Sequence, residues 1–289
     1  MDEPRKSEAL SSSYCCFHAT LLPAIGAKFI GHWEIRIGVP LFVVLLSVTS
    51  YAIGVFVCYN RCVLLLFFTA SFALFFYSYI KTIVVGPGYL PWFQSVSDEA
   101  KDDNSYGGVI TNQYQMDYAK ANYIPPRCIV SSTARRIVIR ADHFCDFIAS
   151  FVGIRNHKLF ILFNVYGVIY LGMFLYICCW ALMNLINDPS MFIIVLILYL
   201  VFGLSFFMMT ISFAVEHIWG LRNGLTGVDE LKRVPKNQYN RGFKKNAEEI
   251  FGRNQTLFQC LMPFSPYENK KNSEIVRELE DKYGTLSML

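Results

Sequence analysis

The residues most capable of chemistry lie in the stretch RADHFCDF (140–147), where Asp142, His143 and Cys145 place an acid, a base and a nucleophile within four positions. A cysteine attacks as its thiolate, and a neighbouring imidazolium lowers the pKa of the thiol. His143 and Cys145 are two residues apart, so an extended backbone turns both side chains to one side. Asp142 can hold one imidazole nitrogen and leave the other facing the sulfur. The group predicts nucleophilic cysteine chemistry, although an isolated Asp-His-x-Cys also occurs in surface clusters that do no chemistry.

The composition is that of a membrane protein. Of the 289 residues, 54% are hydrophobic and only 17% are charged, whereas soluble domains carry about 25% charged residues. The net charge of +4 is small and gives no indication of nucleic-acid binding. The nine cysteines are scattered and form no C-x-x-C pair, which argues against a secreted disulfide framework.

Four apolar stretches are long enough to cross hydrocarbon, which takes about 20 residues. They are 37–59, 62–80, 159–183 and 191–215. They form two hairpins separated by a long loop. This predicts five segments: an N-terminal segment (1–36), a first transmembrane hairpin (37–85), a loop domain (86–158), a second hairpin (159–215) and a C-terminal tail (216–289).

The charge distribution predicts the orientation. Arg61 is the one basic residue beside the hairpin turns, whereas the other side carries many lysines and arginines. Because basic loops remain in the cytosol, we expect both termini and the 86–158 loop to be cytosolic. Cysteines remain reduced there. Cys145 then lies at the cytosolic membrane surface, a position that suits attack on a thioester whose lipid tail lies in the bilayer.

A longer stretch, PPRCIVSSTARRIVIRADHFCDFIASFVGIRNHKLFILF (125–163), resembles the cysteine-rich core of the DHHC family of membrane protein S-acyltransferases. The residues that match the family pattern are Pro125, Pro126, Arg127, Arg140, Asp142, His143, Cys145, Val152, Gly153 and Asn156. GPGYLP (86–91), TGVD (226–229) and GFKKNAEEIFG (242–252) are similar to further family motifs, in the family's order.

The resemblance implies an all-α membrane protein with four transmembrane helices and a small cytosolic DHHC-like domain between the second and third. It implies a ping-pong reaction in which Cys145 takes an acyl group from a fatty acyl-CoA such as palmitoyl-CoA and passes it to a cysteine of a protein. His143 would be the base, oriented by Asp142. The expected partners are fatty acyl-CoA, cysteine-containing cytosolic or membrane-associated proteins and the lipid bilayer. The expected location is the ER, the Golgi or the plasma membrane.

The sequence departs from the family at its zinc ligands. The corresponding positions are Asp117, Lys120, Val130, Ser131, Ala134, Ile137, Phe144 and Phe151. A single aspartate cannot hold a zinc ion, so we expect a zinc-free domain with no metal ligands. Burial of apolar side chains would stabilise the loop instead, with short strands around IVIR. The candidates for this core are Ile129, Val130, Ile137, Val138, Ile139, Phe144, Phe147, Ile148 and Phe151.

Several interpretations stay open at this point. Arg135, Arg136 and Arg140 are candidates to bind the phosphates of acyl-CoA, or they belong to the basic cytosolic side. Asp146 follows Cys145, and its charge opposes formation of a thiolate. A catalytically inactive DHHC-like membrane adaptor is therefore the main alternative, and an unrelated four-span transporter is a third. The last stretch, 273–289, has the pattern of a polar amphipathic helix that contacts a partner or solvent.

Overall fold

The computed structural model describes residues 10–14, 17–36, 38–92, 108–185 and 191–284. In chain order, the α-helices of this part are α1 (Gly38–Cys58), α2 (Cys62–Val85), α3 (Gln113–Ala121), α4 (His157–Leu185), α5 (Phe192–Asn223), α6 (Gly227–Leu231), α7 (Phe243–Phe251), α8 (Leu257–Leu261) and α9 (Asn272–Tyr283). The strands are β1 (Leu10–Tyr14), β2 (Phe17–Leu22), β3 (Ala27–Ile30), β4 (Trp33–Glu34), β5 (Tyr89–Leu90), β6 (Ile129–Ser131), β7 (Arg136–Val138), β8 (His143–Cys145) and β9 (Ser150–Val152).

Four helices, α1, α2, α4 and α5, are long and apolar enough to cross a membrane, and they confirm the four predicted spans. Their ends differ from the hydropathy boundaries. The helix α2 continues to Val85 and α5 continues to Asn223, beyond the predicted ends at 80 and 215. The added part of α5, about two turns, contains the polar residues Glu216, His217, Arg222 and Asn223, and His217 lies at the candidate site described below.

The helix α4 is the centre of the bundle and packs against α1, α2 and α5. Stacked aromatic side chains fill the space between the helices. Tyr170 of α4 lies between Phe68 and Phe75 of α2, with ring centroids 5.3 and 5.2 Å away. Phe163 stacks on Phe75 at 5.4 Å. Such rings bury large apolar areas, which explains why the central helix is the most buried of the four.

The chain between α2 and α4 contains strands as well as a helix, which corrects the all-α prediction. The strands β5, β7 and β6 form one small antiparallel sheet in that order, and β8 pairs with β9 in a hairpin. The strand expected around IVIR is β7. Residues 93–107, within the same predicted loop, lie outside the described part of the chain.

Apolar side chains occupy the positions that correspond to the family's zinc ligands. Phe151 is buried with Tyr89 and Val138, and Ala134 and Phe144 pack against that cluster. Ile137 belongs to a second cluster, against which Val130 packs. These side chains offer no metal-binding atoms, and their burial helps to join the short strands.

The N-terminal segment contains a four-stranded antiparallel sheet, β1 to β4, which the sequence patterns did not predict. Several contacts among the described residues join it to the rest of the molecule. The Trp33 indole Nε1 donates a hydrogen bond to the Ile148 carbonyl oxygen at 3.2 Å. The Arg136 guanidinium lies between the rings of Phe29 and Tyr89, 4.8 and 4.4 Å from their centroids. This sheet therefore packs against the strands that surround the reactive cysteine.

The C-terminal tail folds back onto the strands between α2 and α4. In α9, Ile275, Val276 and Leu279 are buried in one cluster with Ile137 and Ile139. The prediction of an amphipathic helix is confirmed by α9. Its apolar face is covered by the chain itself, whereas Glu274, Arg277 and Asp281 on its polar face are exposed.

Candidate active site

The hairpin of β8 and β9 positions the two reactive side chains. His143 pairs with Val152, and Cys145 pairs with Ser150. Side chains alternate between the two faces of a strand, so His143 and Cys145 share one face. Phe144 points to the other face, where it meets Phe151 with ring centroids 5.5 Å apart. Apolar packing on one face therefore fixes the direction of the reactive pair on the other.

Asp142 precedes β8 and is held by two hydrogen bonds to its carboxylate. One oxygen, Oδ2, lies 2.8 Å from His143 Nδ1, and the other, Oδ1, accepts from the Gly227 backbone N–H at 3.1 Å. A side chain at Gly227 would meet the Asp142 carbonyl oxygen at 3.0 Å, so the absence of a Cβ permits this approach. Burial opposes the charge of Asp142, but the surrounding imidazoles of His157, His143 and His217 hold the pKa of the carboxyl well below its usual range.

His143 has one nitrogen engaged and one free. Its Nδ1 donates to Asp142, whereas its Nε2 is buried and has no hydrogen-bond partner of normal geometry among the residues that the structure describes. Burial disfavours the imidazolium, yet Asp142 and the Cys145 thiol together raise the pKa of His143 to about 10. Nε2 is the nitrogen that can interact with the Cys145 sulfur, because Nδ1 is already hydrogen-bonded to Asp142. The arrangement can remove a proton from a thiol and return it.

Cys145 is buried and lines an apolar cavity between the membrane-spanning helices. The empty volume of this cavity is about 720 Å³, including the open space at its mouth. Phe147 and Phe160 lie beside Cys145, and Tyr170 and Phe174 lie further along α4. Phe160 and Phe174 are separated by 14 residues, which corresponds to about 21 Å along a helix. The cavity therefore extends from the thiol through most of the roughly 30 Å hydrocarbon thickness of a bilayer.

The three arginines suggested as phosphate ligands occupy different environments. Arg136 and Arg140 are buried, with only 1% and 3% of their surface exposed. Arg136 donates to the His32 carbonyl oxygen at 2.9 Å, and Arg140 forms an ion pair with Glu249 at 2.6 Å. Burial and these partners keep both from a soluble anion, which corrects the expectation for Arg136 and Arg140. Arg135 is exposed and remains a candidate.

The positions that correspond to the family's zinc ligands do not fit zinc, because they carry apolar side chains or isolated polar groups. Asp117, for example, is exposed and accepts from Gln113. Among the described residues, one group could hold a metal ion: Asp142, His143 and His217, whose ligand atoms lie within 4.8 Å of one another. Two of its members are the acid and base already assigned above.

Sequence reasoning missed His157 and His217, which both lie at the acid. His217 Nδ1 is 3.8 Å from Asp142 Oδ2, and His157 Nε2 is 3.2 Å from His217 Nδ1. His217 lies in the part of α5 beyond the predicted span, and His157 begins α4. Ionisable residues at the ends of membrane helices are a recognised signal of function, so the polar extension of α5 could have indicated this site.

Comparison with known proteins finds protein S-acyltransferases. The model of the DHHC palmitoyltransferase family matches residues 110–234. This segment is therefore similar to a DHHC palmitoyltransferase domain. Probable protein S-acyltransferase 12 of Arabidopsis thaliana is 28% identical over 220 residues, covering 71% of this chain and 74% of the relative. Palmitoyltransferase ZDHHC15 of Rattus norvegicus is 24% identical over 78% of this chain and 76% of its own length. Palmitoyltransferase ZDHHC20-A of Danio rerio is 31% identical over 49% of this chain and 42% of its own length.

The motifs that this chain shares with the DHHC family meet in the structure. Arg127 of PPRC forms a buried ion pair with Asp229 of TGVD at 2.5 Å. Asn156, which ends the VGIRN motif, accepts from the Gly153 N–H at 2.8 Å and donates to the Thr82 carbonyl oxygen at 3.2 Å. Asn246 of the tail motif donates to the Leu221 carbonyl oxygen at 3.0 Å. These contacts join α2, α4, α5 and the tail around the hairpin that carries Cys145.

Proposed function

We propose that this protein is a protein S-acyltransferase that uses Cys145 as its nucleophile. The observation that carries the proposal is the position of the Cys145 thiol, on the same strand face as the His143–Asp142 pair and at the wall of an apolar cavity between the spans. The match of residues 110–234 to the DHHC palmitoyltransferase family model supports the same activity.

The proposed reaction has two balanced steps. His143 holds the proton of the Cys145 thiol on Nε2 as an imidazolium, and the Cys145 Sγ thiolate attacks the carbonyl carbon of a fatty acyl-CoA. The bond between that carbon and the sulfur of coenzyme A breaks, and the leaving thiolate receives the proton from His143. In the second step, the thiol of a substrate protein gives its proton to His143 and attacks the acyl-Cys145 thioester. Cys145 leaves as thiolate and recovers the proton.

The cavity supports a long acyl donor of the palmitoyl type. It is lined mainly by aliphatic and aromatic side chains of all four membrane helices. The transfer of an acyl chain into such a space is favourable at about 0.8 kcal/mol for each buried CH₂ group. A donor bound in this way has its thioester at Cys145 and its coenzyme A outside the bilayer. Arg135, which is exposed, remains the candidate to bind a phosphate of that coenzyme A.

The proposed topology places the strands, α3, the tail and both termini on the cytosolic side, with a DHHC-like domain (86–158) between the second and third spans. Arg61, between α1 and α2, is the basic residue of the opposite side. The excess of basic residues on the cytosolic side supports this orientation. The protein would then act within the ER, the Golgi or the plasma membrane, on cysteines of cytosolic or membrane-associated proteins.

The proposal predicts that Cys145→Ser abolishes labelling by a fatty acyl-CoA probe. An alcohol without a thiolate cannot form the thioester, and the lost adduct is the one that hydroxylamine cleaves. The measurement is the labelling of purified protein, with Cys62→Ser as a matched control because Cys62 is exposed at the start of α2. Equal labelling of wild type and Cys145→Ser would exclude Cys145. A wild-type protein without any adduct on Cys145 would favour the inactive adaptor.

A further inference from the structure

Two buried histidines that the proposed reaction does not use lie behind the acid. His157 and His217 are 3% and 6% exposed. His157 comes from the start of α4, and His217 comes from the last part of α5. Their rings meet edge to face with centroids 5.0 Å apart. His217 is also close to His143, with ring centroids 5.9 Å apart. Two imidazoles therefore lie within reach of one carboxylate, Asp142.

Arg140 determines which nitrogens of these histidines carry protons. An arginine always donates, and Arg140 Nη1 lies 3.0 Å from His157 Nδ1. His157 Nδ1 must therefore accept, so the proton of the neutral ring is on Nε2. That proton points to His217 Nδ1, 3.2 Å away. His217 Nδ1 must also accept, and its own proton is on Nε2.

This order of donors has a consequence for Asp142. His217 Nδ1 lies 3.8 Å from Asp142 Oδ2, close enough to donate to it after a small shift. It carries no proton to donate, because its lone pair is used by His157. Oδ2 therefore keeps one imidazole donor, His143 Nδ1, at 2.8 Å. If Oδ2 were shared with a second donor, it would stabilise the His143 imidazolium less.

We propose that His157 and His217 are positioning residues whose protonation pattern, set by Arg140, reserves Asp142 for His143. This inference rests on the proposed acyl transfer, in which His143 is the base. Arg140 is itself fixed by its ion pair with Glu249 of α7. The pattern thus extends from the tail to the acid through one continuous chain of buried groups.

The titratable and charged groups around the His143–Asp142 pair come from several elements. They are Asp142 and Cys145 beside it on the chain, Arg140 before the hairpin, His157 of α4, Glu216 and His217 of α5, and Glu230 of α6. Among them, His217 is the one that can become a second donor to Asp142 Oδ2 when its partner is removed.

The first test does not depend on activity. Nitrogen-15 NMR of protein labelled at histidine, of which the chain has five, distinguishes the two neutral tautomers. We expect His157 and His217 to carry the proton on Nε2 near neutral pH. A proton on Nδ1 of His217 would overturn the inference, whatever the enzyme does.

The second test compares two variants in the rate of acyl-enzyme formation against pH. His157→Phe frees His217 to donate to Asp142, so the alkaline limb of the profile should move to lower pH by about one to two units. The double variant with His217→Phe removes the competing donor, and the limb should return toward wild type. If both residues only supported packing, the double variant would be at least as impaired as the single one, and its limb would not return.

The two hypotheses fail in different ways. Absence of acyl labelling in the wild type would contradict the proposed function. The NMR measurement would still test the tautomers of His157 and His217. If the alkaline limb of the double variant lies at the same pH as that of His157→Phe, the positioning role is contradicted. The proposed acyl transfer is not affected by that result. Thermal unfolding of each variant in detergent verifies that the comparison is made on folded protein.

Discussion

At the level of single residues, the site depends on one buried carboxylate. Asp142 binds His143 through one oxygen and the Gly227 N–H through the other. The family pattern has a threonine at the position of Gly227. Here the backbone N–H makes the contact, so the loss of that side chain does not leave Asp142 unbound. Asp146, whose charge follows Cys145, is exposed, and solvent screens an exposed charge.

Replacement of the acid gives a prediction about pH. The pKa of His143 is raised from its ordinary value of 6.5 to about 10, so the imidazolium persists up to about pH 10. In Asp142→Asn this pKa falls, because the negative charge is lost. We expect the rate of acyl-enzyme formation to fall on the order of a thousandfold and its alkaline limb to move to lower pH. The readout is a pH–rate profile of fatty acyl-CoA labelling.

Asp146→Asn is the matched control for that experiment. It removes a carboxylate from the same short stretch, but an exposed one. Its profile should overlay that of the wild type. An Asp142→Asn enzyme with an unshifted limb would show that the carboxylate does not set the pKa of His143.

At the level of elements, buried ion pairs join the tail to the strands. Glu249 of α7 binds Arg140 at 2.6 Å and Arg127 at 3.2 Å, and its other oxygen accepts from the Tyr283 hydroxyl at 2.5 Å. All of these groups are mostly buried. A charge left alone in such a place is costly, so the tail and the strands are coupled in stability.

Glu249→Gln tests this coupling. It leaves two buried guanidinium groups without their shared carboxylate, and we expect a loss of about 3–5 kcal/mol in the free energy of unfolding. Glu248→Gln, at the next position and without an ion pair among the described residues, should change it by about 0.5 kcal/mol or less. Denaturant titration in detergent gives both values, and equal effects of the two substitutions would contradict the coupling.

Glu249 also makes the free energy of unfolding depend on pH in the acid range. Burial alone would raise the pKa of Glu249, but Arg140 and Arg127 lower it from 4.5 to about 2. A carboxyl with a depressed pKa stabilises the fold above its unfolded value. That contribution should be complete above about pH 4.5 and disappear as the pH falls toward 2. In Glu249→Gln this part of the acid dependence should be missing.

At the level of the whole molecule, apolar side chains pack at positions that correspond to the family's zinc ligands. The cluster around Tyr89, Val138 and Phe151 and the cluster that contains Ile137 cover the corresponding positions. The second of these clusters includes α9, so the C-terminal tail completes a core that metal ions hold together in the family pattern. The N-terminal sheet adds the Arg136 contacts with Phe29 and Tyr89.

A zinc-free fold predicts that a strong chelator leaves the unfolding temperature and the acyl-transfer rate unchanged. Phe151→Ala should instead cost about 3–5 kcal/mol in the free energy of unfolding, as for a buried aromatic side chain. Elemental analysis of the purified protein should find zinc well below one equivalent. A chelator that lowers the unfolding temperature would show that a metal, and not packing alone, stabilises the strands.

Local properties of the sequence were sufficient to predict the four apolar helices and to select Asp142, His143 and Cys145 as candidates. The apolar runs that become α1, α2, α4 and α5 are long enough to identify in isolation, because hydrocarbon imposes a minimum length. Asp142, His143 and Cys145 are close in the chain, so their spacing alone indicates a shared face. The motif order indicated the family.

Contacts between distant segments determine the environments of the buried arginines and histidines. Arg136 and Arg140 have the sequence pattern of free cations, and only the folded tail and N-terminal sheet show that they are buried. His157 and His217 are separated by 60 positions, and hydropathy ended the fourth span before the second of them. The reason is physical: chain length and periodicity are local properties, whereas burial, ion pairing and the direction of a proton depend on which atoms the fold brings together.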